Sequence, residues 1–99
     1  MMRLIYLSPA LTDIEGILEF ISNDNPMAAK RFGEGLLETC RMLETNPELG
    51  VTRDDLADGL RLFTYRGYGL YYRINHDRQV VLLGRVLHPA LDVRRQSFD

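Results

Sequence analysis

The stretch LRLFTYRGYGLYYRINHDRQVVLLGRVLH, residues 60–88, decides the fold class of this chain. It is rich in β-branched and aromatic residues with a period near two, which is typical of strands. The predicted strands are residues 60–66, 68–74 and 79–88, with NHDR at 75–78 as a hairpin turn. The last strand is apolar almost throughout, so we expect it inside a sheet with both faces covered, and Gly84 predicts a bulge or a close backbone approach.

The N-terminal half has the pattern of one short strand and two helices. LIYL at 4–7 predicts the strand, and Ser8 before Pro9 predicts a helix start in which Ser8 is the N-cap. Asn25 before Pro26 ends this helix and caps the next one. The apolar stripes are Leu11, Ile14, Leu18 and Ile21 on the first helix, and Ala29, Phe32, Leu36, Cys40 and Leu43 on the second. The polar segment 46–58 is expected to be a loop.

The predicted order is therefore β-α-α-β-β-β: an N-terminal strand, an antiparallel two-helix hairpin and a three-stranded antiparallel meander. The sheet has one face to bury and the helix hairpin has one apolar stripe to bury, so we expect them to pack on each other. This predicts a two-layer α+β fold, with residues 1–99 forming a single domain.

Composition limits the classes of function. The chain is 45% apolar and 26% charged, as in ordinary globular proteins. Cys40 is its only cysteine and has no CxxC or Cys/His neighbours, so we expect no internal disulfide, no structural zinc site and a reducing, cytoplasmic setting. No cofactor and no other metal are expected. No apolar run is long enough to predict a membrane span. The net charge is −2, but residues 51–99 carry eight arginines against six acids, which makes this half mildly basic.

An ordered set of motifs resembles the ParE branch of the RelE/ParE toxin superfamily. The set consists of Asn25-Pro26-x-Ala28-Ala29-x-Arg31-Phe32, Pro47-x-x-Gly50, Arg53, Leu56, Gly59-Leu60-Arg61-x-Phe63, Tyr68, Tyr72-Arg73 and Arg85-Val86-Leu87-His88 followed by Asp92. The resemblance implies a cytoplasmic toxin of a bacterial type II toxin-antitoxin module that arrests growth. It further implies inhibition of DNA gyrase, neutralisation by a small ParD-like antitoxin and no enzymatic activity of its own.

A RelE-like, ribosome-dependent mRNA endonuclease is the alternative within the same superfamily. Cleavage of RNA without a metal needs a base, an acid and cationic groups in one site. The candidates are Arg61, Arg73, Arg85 and His88. Against this alternative, no tyrosine follows Tyr72, and a net charge of −2 is unfavourable for binding ribosomal RNA. A second alternative is a non-toxic homologue that only binds its antitoxin.

The site residues follow from these hypotheses. The segment RVLHPALDVRR at 85–95 predicts a charged, target-binding tail in which Asp92 pairs with His88 if HPALDV forms a helical turn. Its predicted target-binding residues are Arg85, His88, Asp92, Arg94 and Arg95. The predicted antitoxin-binding residues are Ile14, Leu18, Phe32, Leu36, Arg61 and Arg73, in a groove beside the helix hairpin and the sheet. The three strand arginines are equally compatible with plain solvent-facing positions, and no sequence-specific binding of nucleic acid is expected.

Overall fold

A computed structural model describes residues 1–98, which form two helices and a five-stranded sheet. The elements are β1 Arg3–Tyr6, α1 Ser8–Asp24, α2 Pro26–Thr45, β2 Val51–Thr52, β3 Arg61–Tyr65, β4 Tyr68–Asn75 and β5 Val80–Leu87. Short 3₁₀ turns lie at Pro47–Leu49 and Val93–Arg95. The predicted two-layer α+β fold is confirmed.

The sheet has the order β1-β5-β4-β3-β2. β1 runs parallel to β5, and the other neighbours are antiparallel, so the predicted meander is confirmed and β5 lies inside the sheet as expected. The strand β2 is the exception, because Val51–Thr52 falls in the segment predicted to be a loop. Two residues at a sheet edge are too few to show a period, which explains why the sequence did not predict this strand.

The helix hairpin turns at Asn25, as predicted. The Asn25 side chain accepts a hydrogen bond from Ala28 N at 3.1 Å, and Pro26 begins α2. The start of α1 differs from the prediction: Leu7 is the N-cap residue, and no side chain caps this end. Leu11 also differs, since it is exposed while Ala10 and Ile17 face the core.

The main core lies between the helices and one face of the sheet. Its fully buried members include Phe32, Leu36 and Cys40 of α2 and Leu70, Tyr72, Val81 and Leu83 of the sheet. Full burial of one such large apolar side chain contributes roughly 1.5–3 kcal/mol. A second cluster, consisting of Leu60, Tyr71, Leu87 and Phe98, covers the opposite face, which we call the outer face. The C-terminal tail therefore folds back over the sheet and covers the second face of β5.

A β-bulge at Gly84 interrupts the pairing of β4 with β5. Tyr71 pairs with Arg85 and Tyr72 pairs with Leu83, so Gly84 is the extra residue. The predicted bulge is confirmed. Bulges bend a strand and redirect its side chains, and this one directly precedes Arg85.

Candidate functional site: the surface around His88

Arg85 links three separate parts of the chain. Its Nε donates to Asp13 Oδ2 at 2.7 Å, its Nη2 donates to Asp13 Oδ1 at 3.0 Å, and its Nη1 donates to Ser97 O at 3.0 Å. The Arg85 and Asp13 side chains are only 17% and 15% exposed. The hydrogen bonds to Asp13 raise the pKa of Arg85 above its usual value. Arg85, predicted to contact a target, thus has an internal role.

Arg61 and Arg73 also hold the fold together. Arg61 Nη1 donates to Gly50 O at 2.7 Å, which ties the segment after α2 to the sheet. Arg73 donates from Nε to Asp58 O at 3.0 Å and from Nη1 to Phe98 O at 2.7 Å. These guanidinium groups bind backbone carbonyls, so neither side chain is a plain solvent-facing position.

The four residues considered for RNA cleavage do not all lie on one side of the sheet. Arg61 lies opposite Tyr72 of the main core and therefore shares its face, whereas Arg73, the next residue after Tyr72, points to the outer face. Arg85 bridges α1 and the tail, and His88 lies beyond the end of β5. A single substrate atom is therefore not within reach of all of them.

His88 is exposed and its ring stands edge-on to Tyr68, with 5.3 Å between ring centroids and an interplanar angle of 88°. Its Nδ1 accepts a hydrogen bond from Ala90 N at 3.0 Å, so the neutral ring carries its proton on Nε2. The predicted pairing of His88 with Asp92 is wrong. Asp92 instead accepts from Arg94 N at 3.2 Å and lies 3.3 Å from Arg95 Nε, which caps the last 3₁₀ turn.

Arg94 and Arg95 are the tail cations that solvent reaches. Their side chains are 69% and 85% exposed. Arg94 Nη2 lies 3.5 Å from Asp55 Oδ2, but an exposed pair of this kind contributes only about 0–1 kcal/mol and leaves the Arg94 guanidinium available to a partner.

Two apolar depressions meet at His88. The first, here called the α1 groove, measures about 420 Å³ and is lined by Thr12, Asp13, Gly16, Ile17, Phe20, Tyr68, Val86, Leu87, His88 and Leu91. The second, on the outer face, measures about 200 Å³ and is lined by Leu62, Thr64, Gly67, Gly69, Tyr71, Leu87, His88, Pro89, Leu91 and Val93. Leu87, His88 and Leu91 line both depressions, and neither wall contains a lysine or an arginine.

The rim of the α1 groove carries unusual apolar exposure. Phe20 is 74% exposed and Leu91 is 48% exposed. Gly16 lies on the groove wall in the middle of α1, and a Cβ built on it would meet no atom within 4 Å. Internal packing therefore does not require a glycine there, although glycine within a helix costs roughly 0.5–1 kcal/mol relative to alanine. Its effect is to widen the groove.

The chain matches a known protein family over most of its length. A family model described as the ParE toxin of the type II toxin-antitoxin system parDE matches residues 4–92. The chain belongs to this family. No curated protein matches the chain.

Solved structures share the ParE/RelE fold with this toxin. One is from the chromosomal ParDE toxin-antitoxin system of P. aeruginosa, with a TM-score of 0.74 and 19% identity over 89% of this chain and 96% of that chain. Another is from the toxin-antitoxin complex RelBE2 of Mycobacterium tuberculosis, with a TM-score of 0.63 and 22% identity over 88% of this chain and 96% of that chain. Both similarities concern the fold.

The residues predicted to bind the antitoxin lie deeper in the toxin than expected. Phe32 and Leu36 are 4% and 3% exposed and pack in the main core, so a partner cannot touch them directly, which corrects the prediction for these two. Ile14 and Leu18 are half-buried against the same core. The accessible apolar residues, Phe20 and Leu91, were missed. The sequence did contain a signal for Phe20: it is a large apolar residue that lies outside the apolar stripe of α1.

Three further features concern the described residues of the toxin. No helix among residues 1–98 is both long and apolar enough to cross a membrane. Within the same residues, no group of three or more His, Cys, Asp or Glu side chains is placed to hold a metal ion. Cys40 is buried, as predicted, and burial raises the pKa of its thiol.

Proposed function

We propose that this toxin of a type II toxin-antitoxin system acts by binding and inhibiting DNA gyrase, without catalysing a reaction itself. The observation that carries the proposal is the chemistry around His88. The walls of both depressions are apolar, and their one ionised group is the Asp13 carboxylate, which is already paired with Arg85. Such a surface favours a protein partner over a phosphodiester.

The nuclease alternative requires cations at the reacting phosphate. The ionised side chain that lines the groove together with His88 is the acid Asp13, and the strand arginines donate to internal acceptors. A phosphate beside His88 would therefore gain no charge stabilisation from the groove walls. The exposed imidazole of His88 favours this alternative, as do the exposed guanidinium groups of Arg94 and Arg95, and His88 is the residue to test because it alone could transfer a proton.

The target surface that we propose combines His88 and Leu91 with the exposed arginines of the tail. Interfaces are stabilised mainly by a few apolar or aromatic anchors and by arginines that form bidentate contacts. Arg94 and Arg95 lie in the 3₁₀ turn that follows the groove and are open to solvent. This arrangement fits a large protein target that presents acidic side chains beside an apolar patch, and we propose that gyrase presents such a surface.

The α1 groove fits the antitoxin. We propose that a ParD-like antitoxin places an apolar helix there, with acidic residues towards Arg94 and Arg95 and basic residues towards α1, which has four acids and no base. Because His88 and Leu91 line the groove, an antitoxin bound in it also covers the target surface. Neutralisation then follows from steric competition.

The decisive experiment uses the purified toxin in two reactions. In the first, gyrase, ATP and relaxed plasmid are incubated with toxin, and we expect lost supercoiling and linear DNA. In the second, translating ribosomes and mRNA are incubated with toxin, and we expect intact mRNA. Codon-specific cuts in the second reaction with normal supercoiling in the first would establish the nuclease instead.

Expression without antitoxin addresses the remaining alternative. The proposal expects growth arrest that co-expression of the antitoxin relieves. Normal growth with soluble toxin present, together with tight antitoxin binding, would show a homologue that only binds its antitoxin.

A further inference from the structure

The edge of β5 lacks a neighbouring strand after Leu83. β1 ends at Tyr6, which pairs with Leu83, and Leu7 N makes the next hydrogen bond, to Leu83 O at 3.0 Å. β5 nevertheless continues to Leu87. At this point the carboxylate of Asp13 replaces a strand, because its Oδ2 accepts the Val86 N–H at 3.0 Å.

The same carboxylate holds Arg85. The bulge at Gly84 shifts the register just before Arg85, whose guanidinium forms two hydrogen bonds to Asp13, from Nε at 2.7 Å and from Nη2 at 3.0 Å. The remaining nitrogen, Nη1, donates to Ser97 O. One acid on α1 therefore determines where the Arg85 guanidinium lies, and this guanidinium holds the tail.

The end of the tail has further attachments to the sheet, among them the apolar cluster of Phe98 with Leu60 and Leu87. Arg73 donates to Phe98 O at 2.7 Å, and the Phe98 ring packs against Tyr71 with 4.9 Å between centroids. These contacts and the hydrogen bond from Arg85 to Ser97 O fix the C-terminal end of the segment that begins at His88. The proposed target surface lies between His88 and this end.

We infer that Asp13 is a positioning residue that, through Arg85, keeps the C-terminal tail on the outer face of the sheet and thereby shapes the surface around His88. The effect on gyrase rests on the proposed function, whereas the effect on the tail does not. Asp13 also lines the α1 groove, so a partner bound there contacts the residue on which the tail position depends.

The physical reason lies in the charge of Asp13. With its side chain 17% exposed, the Arg85 guanidinium has little water around it and depends on the carboxylate for charge compensation. Without that charge, the flexible arginine side chain gains hydration by turning outwards, and the Ser97 carbonyl loses its donor. Ser97 and Phe98 are then held by Arg73 and by the packing of Phe98 with Leu60, Tyr71 and Leu87, without the hydrogen bond from Arg85.

The principal variant is Asp13→Asn, which keeps an oxygen that can accept from Val86 N–H but removes the charge. Arg85→Lys is the second variant, because lysine keeps the charge and cannot form the bidentate contact. Glu38→Gln, an exposed acid on α2, is the matched control for removal of one negative charge.

Two ring contacts measured by NMR test the inference without any partner. The Phe98–Tyr71 contact shows whether the tail lies on the sheet. The Phe32–Tyr65 contact, with 5.1 Å between centroids, shows whether the main core is intact. In Asp13→Asn and Arg85→Lys we expect the tail contact to weaken while the core contact keeps its strength. An unchanged tail contact would overturn the inference, and so would equal weakening of both contacts, because Asp13 would then support the whole fold.

The gyrase assay completes the test. We expect Asp13→Asn to need about tenfold more toxin for half-inhibition than Glu38→Gln, because the tail arginines are no longer presented beside His88. Unchanged inhibition with the tail released would overturn the link to the target surface. If the unmodified toxin does not inhibit gyrase, the proposed function fails, while the ring contacts still decide whether Asp13 positions the tail.

Discussion

Replacement of Phe20 by alanine tests the α1 groove as the antitoxin site. Phe20 is 74% exposed in the free toxin, so most of its surface is available for burial by a partner. Full burial of a phenylalanine side chain contributes roughly 1.5–3 kcal/mol, and three-quarters of this is about 1.1–2.2 kcal/mol. We therefore expect Phe20→Ala to weaken antitoxin binding by roughly 6- to 40-fold.

Calorimetric titration of toxin with the cognate antitoxin measures this effect. Val51→Ala is the control, since Val51 is also exposed, at 63%, but lies on β2 at the far edge of the sheet. Both variants should unfold within about 0.5 kcal/mol of the unmodified toxin, because neither side chain belongs to the core. Equal antitoxin affinity of the two variants would refute the assignment of the groove.

Three further predictions concern hydroxyl, imidazole and thiol groups. Tyr72→Phe leaves the buried Gly50 N–H without its acceptor, so urea titration should show that the free energy of unfolding falls by about 1–3 kcal/mol. For Tyr65→Phe we expect a decrease of about 0.5–1.5 kcal/mol. Equal decreases would contradict this ranking. His88→Ala should weaken gyrase inhibition by less than about tenfold, whereas abolished inhibition would favour a chemical role. Burial raises the pKa of Cys40 above its ordinary value of 9.0, so above that pH the thiol stays neutral in the folded protein and ionises in the unfolded chain. The free energy of unfolding should therefore fall as the pH rises above 9.0. If urea titrations of Cys40→Ala show the same dependence of unfolding free energy on pH, this cause is excluded.

Most of the fold could be predicted because its signals are local. A strand or a helix that covers one face of a core repeats its apolar residues at a fixed period, and residues 60–88 and the stripe of α2 follow this rule. The turn at Asn25 and the bulge at Gly84 also depend on the conformational preferences of single residues. Val51–Thr52 could not be predicted, because its pairing depends on β3 and not on its own sequence.

The candidate site was predicted less completely, because its contacts join distant residues. Asp13 and Arg85 are 72 positions apart, and Asp13 looks like any other acid on an amphipathic helix. The alternation of polar and apolar residues predicted that Arg61 and Arg73 lie on strands, but no local pattern shows that each of them donates a hydrogen bond to a backbone carbonyl. One signal was available: Phe98 is the only aromatic residue in the tail, and a lone aromatic side chain there indicates that the tail docks on an apolar surface.

The central claim is that the toxin inhibits gyrase by stoichiometric binding through the surface around His88. It is tested most directly by titrating toxin into a supercoiling reaction at a fixed gyrase concentration. We predict that inhibition rises in proportion to added toxin, saturates at a fixed molar ratio and disappears when the toxin is first mixed with antitoxin. Undiminished supercoiling at a molar excess of folded toxin would contradict the claim.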